Sequence, residues 1–348
     1  MKVCILSVQV PFITGGAELH AESLKRELIK RGCEAEIVLI PFKWYPPERL
    51  LDCMLMARLV DLEEVNGVKI DMVIGLKFPA YFAPHPHKVC WILHQHRQAY
   101  DLYGTPLSDL WQTEQGRAVA AEIKRWDDSL LPQSTAIYAN SKKVAQRLLK
   151  FNQITAPPLY HPPFDHTRFY SGRWDNYILY PGRFDEMKRQ HLLFDALANA
   201  PRNVQLIFCG QQNSIYGAEL QRKIDVSPYR SRVKVLGQIS EEDKIDLYAN
   251  CLAVYNGVYD EDYGYITLEA FFAGKPVITH TDSGGPLEFV THEHNGLVTE
   301  PNPVSLGNAI RVLTENQARA KKMGSNGRES LKHHNICWEY VVETLLKS

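Results

Sequence analysis

The feature that most constrains this chain is an alternation of short apolar runs with amphipathic ones, sustained from residue 3 almost to the end. Residues 3–8 are mostly apolar. Ala17, Ala21, Leu24 and Leu28 then recur at helical spacing until Gly32 ends the helix, and residues 35–40 are again strand-like. Strand–helix–strand alternation predicts parallel strands covered by helices. Further strands are expected at 71–75, 89–93 and 136–139. A second series begins at 177, with strands at 177–180, 204–209, 233–236, 252–255, 276–279 and 296–299. The two series predict an α/β chain with two Rossmann-like, doubly wound domains. Residues 156–175 hold two Pro-Pro pairs and several His and aromatic residues, and they read as the link between the domains. In such sheets ligands sit beyond the carboxyl ends of the strands, where strand order reverses. The functional residues are therefore sought in strand-to-helix turns.

Size and composition narrow the function classes. A chain of 348 residues has room for two domains, each able to bury a core. With 45% hydrophobic and 23% charged residues it is not a disordered chain. A net charge of −1 argues against a nucleic-acid binder, which needs a basic excess. The seven cysteines are odd in number and contain no CxxC pair, which predicts a reducing, cytoplasmic setting. The apolar start is followed by a glycine-rich turn and not by a signal-peptide cleavage site, so it reads as a buried strand. No apolar run approaches the roughly 20 residues that span a bilayer. Residues 48–60 predict a helix with Leu50, Leu51, Met54, Leu55 and Leu59 on one broad face, packed on the core by default. Peripheral membrane contact has no polybasic cluster behind it.

Four motifs carry candidate chemistry. Gly15-Gly16 follows the first strand and opens the first helix, where free amides and the positive helix end suit phosphate. The pattern is not GxGxxG, and no acidic residue closes the second strand, so a nicotinamide-dinucleotide site is poorly supported. YPGRFDEMKR at 180–189 places Arg183 and Lys188 at the first turn of the second domain. Two fixed cations there suit a diphosphate; the bland alternative is a solvated basic turn. DEDYGYITLEA at 260–270 puts Glu261 in a loop and Glu269 at the start of a helix. Glu269 could accept hydrogen bonds from ribose hydroxyls and Glu261 could face a sugar. The amides of Gly264, Tyr265, Ile266 and Thr267 could meet phosphate, against the plainer reading of an acidic surface loop. The fourth motif, His94-Gln95-His96-Arg97, directly follows a strand. Its HxH pattern has no recognisable companion ligands, so no metal is expected. Pro84-His85-Pro86-His87 reads as a rigid turn, and His161 and His166 fall in the link.

Gly182-Arg183 with Lys188, Glu261 with Glu269-Ala270, GKPV at 274–277 and SGGPLE at 283–288 occur together in this order. With Gly15-Gly16, Asn140-Ser141, Gly210, Gly237 and Asn295-Gly296-Leu297, they resemble glycosyltransferase family 4 across essentially the whole chain. The resemblance implies the GT-B fold, with two Rossmann-like domains facing a cleft. It implies residues 1–168 as the acceptor-side domain, joined by a C-terminal helix at 334–348, and residues 169–333 as the nucleotide-sugar domain. It further implies a retaining, metal-independent transfer from a UDP- or GDP-sugar to an acceptor hydroxyl of a glycan, a lipid-linked compound or a small molecule, with no cofactor. Arg183 and Lys188 would bind the donor diphosphate, Glu269 the ribose and Glu261 the transferred sugar, with Gly16 near the donor phosphates or the acceptor. His94 matches a family position near the anomeric carbon, and His96 and Arg97 are candidate acceptor contacts. Arg189 departs from the glycine that often stands there, and reads as a third cation or an altered turn. A sugar-nucleotide epimerase on the same fold and a non-catalytic nucleotide-sugar-binding protein are the alternatives. Base, sugar and acceptor are not distinguished by these motifs.

Overall fold

The first apolar run becomes β1 (Lys2–Gln9), with residues 3–8 all buried, as a central parallel strand covered on both faces requires. The computed structural model describes residues 1–13 and 15–348. After β1 come α1 (Gly16–Lys30), β2 (Glu34–Pro41) and α2 (Arg49–Leu59). A small antiparallel hairpin, β3 (Glu64–Val65) and β4 (Val68–Lys69), precedes β5 (Met72–Gly75). Then follow β6 (Lys88–Ile92), α3 (Glu114–Leu130), β7 (Ala136–Ala139) and α4 (Lys142–Asn152). The sheet runs β2-β1-β5-β6-β7, with every pair parallel. Strand order reverses at β1, so the switch point lies between β1 and β5.

The second series contains β8 (Tyr177–Pro181), α5 (Gln190–Asp195), β9 (Gln205–Cys209), α6 (Ile215–Asp225) and β10 (Val233–Val235). It continues through α7 (Glu241–Asn250), β11 (Ala253–Tyr255), α8 (Tyr265–Phe272), β12 (Val277–His280) and β13 (Gly296–Thr299). Helices α9 (Pro303–Glu315), α10 (Gln317–His333) and α11 (Trp338–Leu346) close the chain. This sheet is also parallel, in the order β10-β9-β8-β11-β12-β13, and its order reverses between β8 and β11.

The chain divides into two units. The N-unit is Met1–Phe164 with Cys337–Ser348, and the C-unit is Asp165–Ile336. Much of the expected link is ordered structure of the N-unit. Leu159 donates its amide to the Ala139 carbonyl at 2.7 Å, and the Trp91 indole donates to the Leu159 carbonyl at 3.2 Å. Helix α11 belongs to the N-unit as well. Its Trp338, Val341, Val342 and Leu345 join Ile5, Leu24, Leu28 and Trp91 in one core cluster. Burial of each such side chain stabilises by roughly 1.5–3 kcal/mol.

Two details depart from the sequence expectations. The hairpin at 64–69 was not anticipated, although Asn66-Gly67 is a strong hairpin signal and both residues have positive φ. Helix α2 buries Leu50 and Met54 but leaves Leu55 52% and Leu59 73% exposed, so core packing covers only part of its apolar face.

Candidate functional site

At the carboxyl edge of the C-unit sheet, backbone is packed against backbone. The Gly182 amide donates to the Cys209 carbonyl and the Gly210 amide to the Gly237 carbonyl, both at 2.7 Å. Gly210 has φ +134°, and a Cβ there would lie 2.3 Å from the Gly182 carbonyl oxygen. Only glycine fits this approach. It sets the turn after β8, where Arg183 is exposed and its guanidinium has no partner among the described residues. The turn closes at Glu186–Lys188, with Asp185 accepting the Met187 amide at 3.0 Å.

Lys188 donates to Glu261 Oε2 at 2.8 Å. The expected phosphate cation and the expected sugar carboxylate are thus one ion pair, about three-quarters buried. It spans the ends of β8 and β11, the strands flanking the switch point. One of the three ammonium N–H groups serves Glu261, which leaves donors for a ligand. The Glu261 backbone is fixed from β12: its amide donates to the Ser283 carbonyl at 2.9 Å and its carbonyl accepts the Gly285 amide at 2.8 Å.

Arg189 has its side chain engaged within the protein, which fits the altered turn better than a third cation. Its backbone is left-handed, with φ 51°, which explains why glycine suits this position. The guanidinium donates to both Asp282 oxygens, at 2.9 and 2.7 Å. It also donates to the carbonyls of Gly257 and Val258, at 2.8 and 2.9 Å. These bonds offset the backbone strain and tie together the turns after β8, β11 and β12. Asp282 therefore supports the site, and neither sequence spacing nor motif pointed to it.

Glu269 lies inside α8 and not at its start. Its carboxylate accepts from the Tyr248 hydroxyl at 2.5 Å and from Lys244 at 3.3 Å. Both partners come from α7, more than twenty residues away, so sequence reasoning missed them. Two carboxylate oxygens still have capacity for further donors. Gly264 caps α8 with φ 96°, and Tyr265 and Ile266 form its first turn. Thr267 faces inward: its amide donates to the Gly264 carbonyl at 2.9 Å and its hydroxyl accepts from Asn256 at 3.0 Å. It offers no amide to phosphate, which corrects the expectation for that residue.

At the carboxyl edge of the N-unit sheet, Gly15 caps α1 and Gly16 is its first residue. Glu18 folds back to accept the Gly15 amide at 2.8 Å, so a carboxylate already meets this helix end. His94 follows β6, and its Nδ1 hydrogen-bonds with the Gln95 carbonyl at 2.7 Å. His96 sits 5.1 Å from the Phe78 ring, and burial followed by the charges of His94 and Lys77 pushes its pKa down to about 3. It is a neutral imidazole at neutral pH. Arg97 turns to Asp101, donating twice at 2.9 and 2.7 Å, and Arg147 shares that carboxylate at 3.4 Å. As an acceptor contact Arg97 is thus largely committed elsewhere. His85 and His87 form the expected tight turn, the His87 amide donating to His85 Nδ1 at 3.0 Å. His161 is buried beside His20, with 2.8 Å between ring nitrogens, among Trp91 and Trp338. His166 packs on Phe272 at 5.0 Å. Among the described residues, no group of three or more His, Cys, Asp or Glu side chains is arranged to hold a metal ion. Among them also, no helix is long and apolar enough to cross a membrane.

Residues 169–330 match the family model for glycosyl transferases group 1. A 121-residue stretch is 32% identical to alpha-1,3/1,6-mannosyltransferase ALG2 of Homo sapiens, covering 35% of this chain and 29% of that protein. The chain spans less than a third of the length of the ALG2 mannosyltransferases it matches. Among solved structures, sucrose-phosphate synthase from Thermosynechococcus elongatus superposes with a TM-score of 0.79 at 18% identity, over 99% of this chain and 97% of that one. The Anabaena protein HepE in complex with UDP and glucose gives 0.72 at 18% identity, over 100% and 98%. The chain therefore has the GT-B fold, and the segment that builds most of its C-unit matches the group 1 glycosyl transferases.

Proposed function

We propose that this chain is a retaining glycosyltransferase of the family 4 type that moves a sugar from a UDP- or GDP-sugar to an acceptor hydroxyl in glycan, polysaccharide or glycoconjugate synthesis. The observation that carries this reading is the Lys188–Glu261 pair beside the exposed Arg183 at the switch point of the C-unit sheet. Arg183 and Lys188 meet the diphosphate, Glu269 the ribose, and Glu261 the sugar. Residues of the N-unit edge, His94 and His96 foremost, meet the transferred sugar and the acceptor. The acceptor oxygen attacks the anomeric carbon on the face from which the diphosphate leaves. The carbon–oxygen bond to the diphosphate breaks, and a leaving phosphate oxygen takes the acceptor proton. Fixed cations aimed at that growing charge lower the barrier without rearrangement.

The matched relatives support nucleotide-linked donors: one is a mannosyltransferase, and one solved neighbour is bound to UDP and glucose. Seven unpaired cysteines, six of them buried, support a reducing cytoplasmic setting. Calorimetry with UDP and GDP tests the donor site. Arg183→Ala and Lys188→Ala should each weaken binding roughly tenfold to a hundredfold, because a charge-assisted contact contributes about 1.5–3 kcal/mol. Unchanged affinity in both variants sinks the assignment. A product assay separates transfer from epimerisation and from binding alone, and turnover should persist in excess EDTA.

A further inference from the structure

The aromatic residues just beyond β2 take no part in the reading above. Phe42 continues directly from the strand, its amide donating to the Gln9 carbonyl at 2.9 Å. Trp44 and Tyr45 follow, 36% and 58% exposed. Their rings form a continuous series. Tyr45 meets Trp44 edge-on at 5.2 Å, Trp44 lies near-parallel to Phe42 at 6.3 Å, and Phe42 meets His96 at 6.5 Å. Phe78 closes the inner end, 6.4 Å from Phe42 and 5.1 Å from His96. The series runs from the end of β2 to the turn after β6, across the positions of β1 and β5 in the sheet. That is the edge at which doubly wound sheets take ligands, and its inner end is two residues from His94.

The chemistry of the series selects its ligand. Aromatic faces carry a weakly negative quadrupole and complement the C–H face of a pyranose, whose hydroxyls point outward to water. The neighbouring cations are engaged. Lys43 lies over the Tyr45 ring at 5.3 Å, and Arg49 pairs with Asp52 at 2.7 Å. With Glu48 and Asp52 flanking Lys43 and Arg49, residues 42–52 carry no basic excess to draw phosphate or anionic lipid.

We propose that Tyr45, Trp44 and Phe42 form a stacking subsite for a neutral saccharide acceptor, leading its reacting unit to His96 and His94. This rests on the glycosyl-transfer reading, since it makes a sugar hydroxyl the acceptor. Saturation-transfer NMR on the full chain tests it, with maltose, cellobiose and α-1,3-mannobiose as probes. The expected result is transfer to the ring C–H protons of at least one disaccharide. The affinity should be weaker by roughly tenfold in the Trp44→Ala/Tyr45→Ala double variant, because stacked aromatics contribute about 0.5–1.5 kcal/mol each, and it should be largely kept in Trp44→Phe. Absence of transfer from all three sugars, or undiminished affinity in the double variant, overturns the proposal. So does sedimentation with phosphatidylglycerol vesicles that depends on Trp44 and Tyr45 while the sugars give no transfer. Calorimetry with UDP and GDP on the same proteins keeps the two readings apart. Nucleotide binding without saccharide binding removes only the subsite; saccharide binding without nucleotide binding removes the donor reading and leaves a saccharide-binding surface.

Discussion

The two sheets share one architecture and present opposite chemistry at their carboxyl edges. The C-unit edge is built from charges, and its turns are cross-tied by Arg189–Asp282, Lys188–Glu261 and the paired backbone of Glu261 and Gly284. The N-unit edge is built from aromatic rings and the neutral imidazole of His96, and its Arg97 is drawn inward to Asp101. A leaving diphosphate needs fixed positive charge, and fixing charge requires bonds that hold the turns. A neutral acceptor needs surface and shape, which rings supply without an ionic frame. On the proposed function, one fold takes two ligands of different chemistry by changing what its turns carry.

The largest test of this contrast is Arg189. Arg189→Ala should destabilise the C-unit by about 3 kcal/mol, because Asp282 and two carbonyls lose their donors. Arg189→Gly should cost about 1 kcal/mol less, since it also removes the left-handed strain. Denaturant melts measure both. Nucleoside-diphosphate affinity should fall far less than in Lys188→Ala. An equal fall would make Arg189 a ligand contact and blur the distinction between frame and cation.

A smaller effect is expected from the buried carboxyl of the N-unit. Asp127 accepts from Tyr81 at 3.0 Å and from Tyr100 at 2.6 Å, and burial pushes its pKa up to about 7. A raised carboxyl pKa means that the folded state holds the proton more tightly than the unfolded chain. Stability is then highest below about pH 4 for this group and is lost as pH rises towards 7. Relative to Asp127→Asn, the wild type should lose about 3 kcal/mol across that window, read from denaturant midpoints at pH 4, 5.5 and 7. A flat difference would mean that the N-unit interior carries a full charge after all. The smallest effect is at His96. Because the ring is already neutral and packed on Phe78, His96→Phe should change stability by less than about 1 kcal/mol at pH 7. A larger loss in thermal melts would show that its nitrogens, and not its ring, hold the turn.

Legibility in the sequence followed the range of the interactions. The strands were readable because a strand buried on both faces must be a mostly apolar local run, as at 3–8 and 252–255. The C-terminal helix expected at 334–348 is α11, Trp338–Leu346, and its buried Trp338, Val341, Val342 and Leu345 follow helical spacing. Gly182, Arg183 and Lys188 were found because a turn and its cations are neighbours in the chain. What held Glu269 was not readable, since Tyr248 and Lys244 arrive from another helix. Arg189 looked like one more cation because its carboxylate partner is Asp282, 93 residues on. The burial of His161 against His20 was hidden for the same reason, across 141 residues.

The membership of α11 in the N-unit core has a consequence for synthesis. Domains usually fold in the order in which they emerge from the ribosome. Here the N-unit begins first, yet Trp338, Val341, Val342 and Leu345 complete its core only after the entire C-unit has been made. The C-unit, continuous from Asp165 to Ile336, has all its parts earlier. Until α11 arrives, Leu24, Leu28 and Trp91 lack the apolar side chains of that helix that share their cluster. The unit translated first is therefore the one finished last.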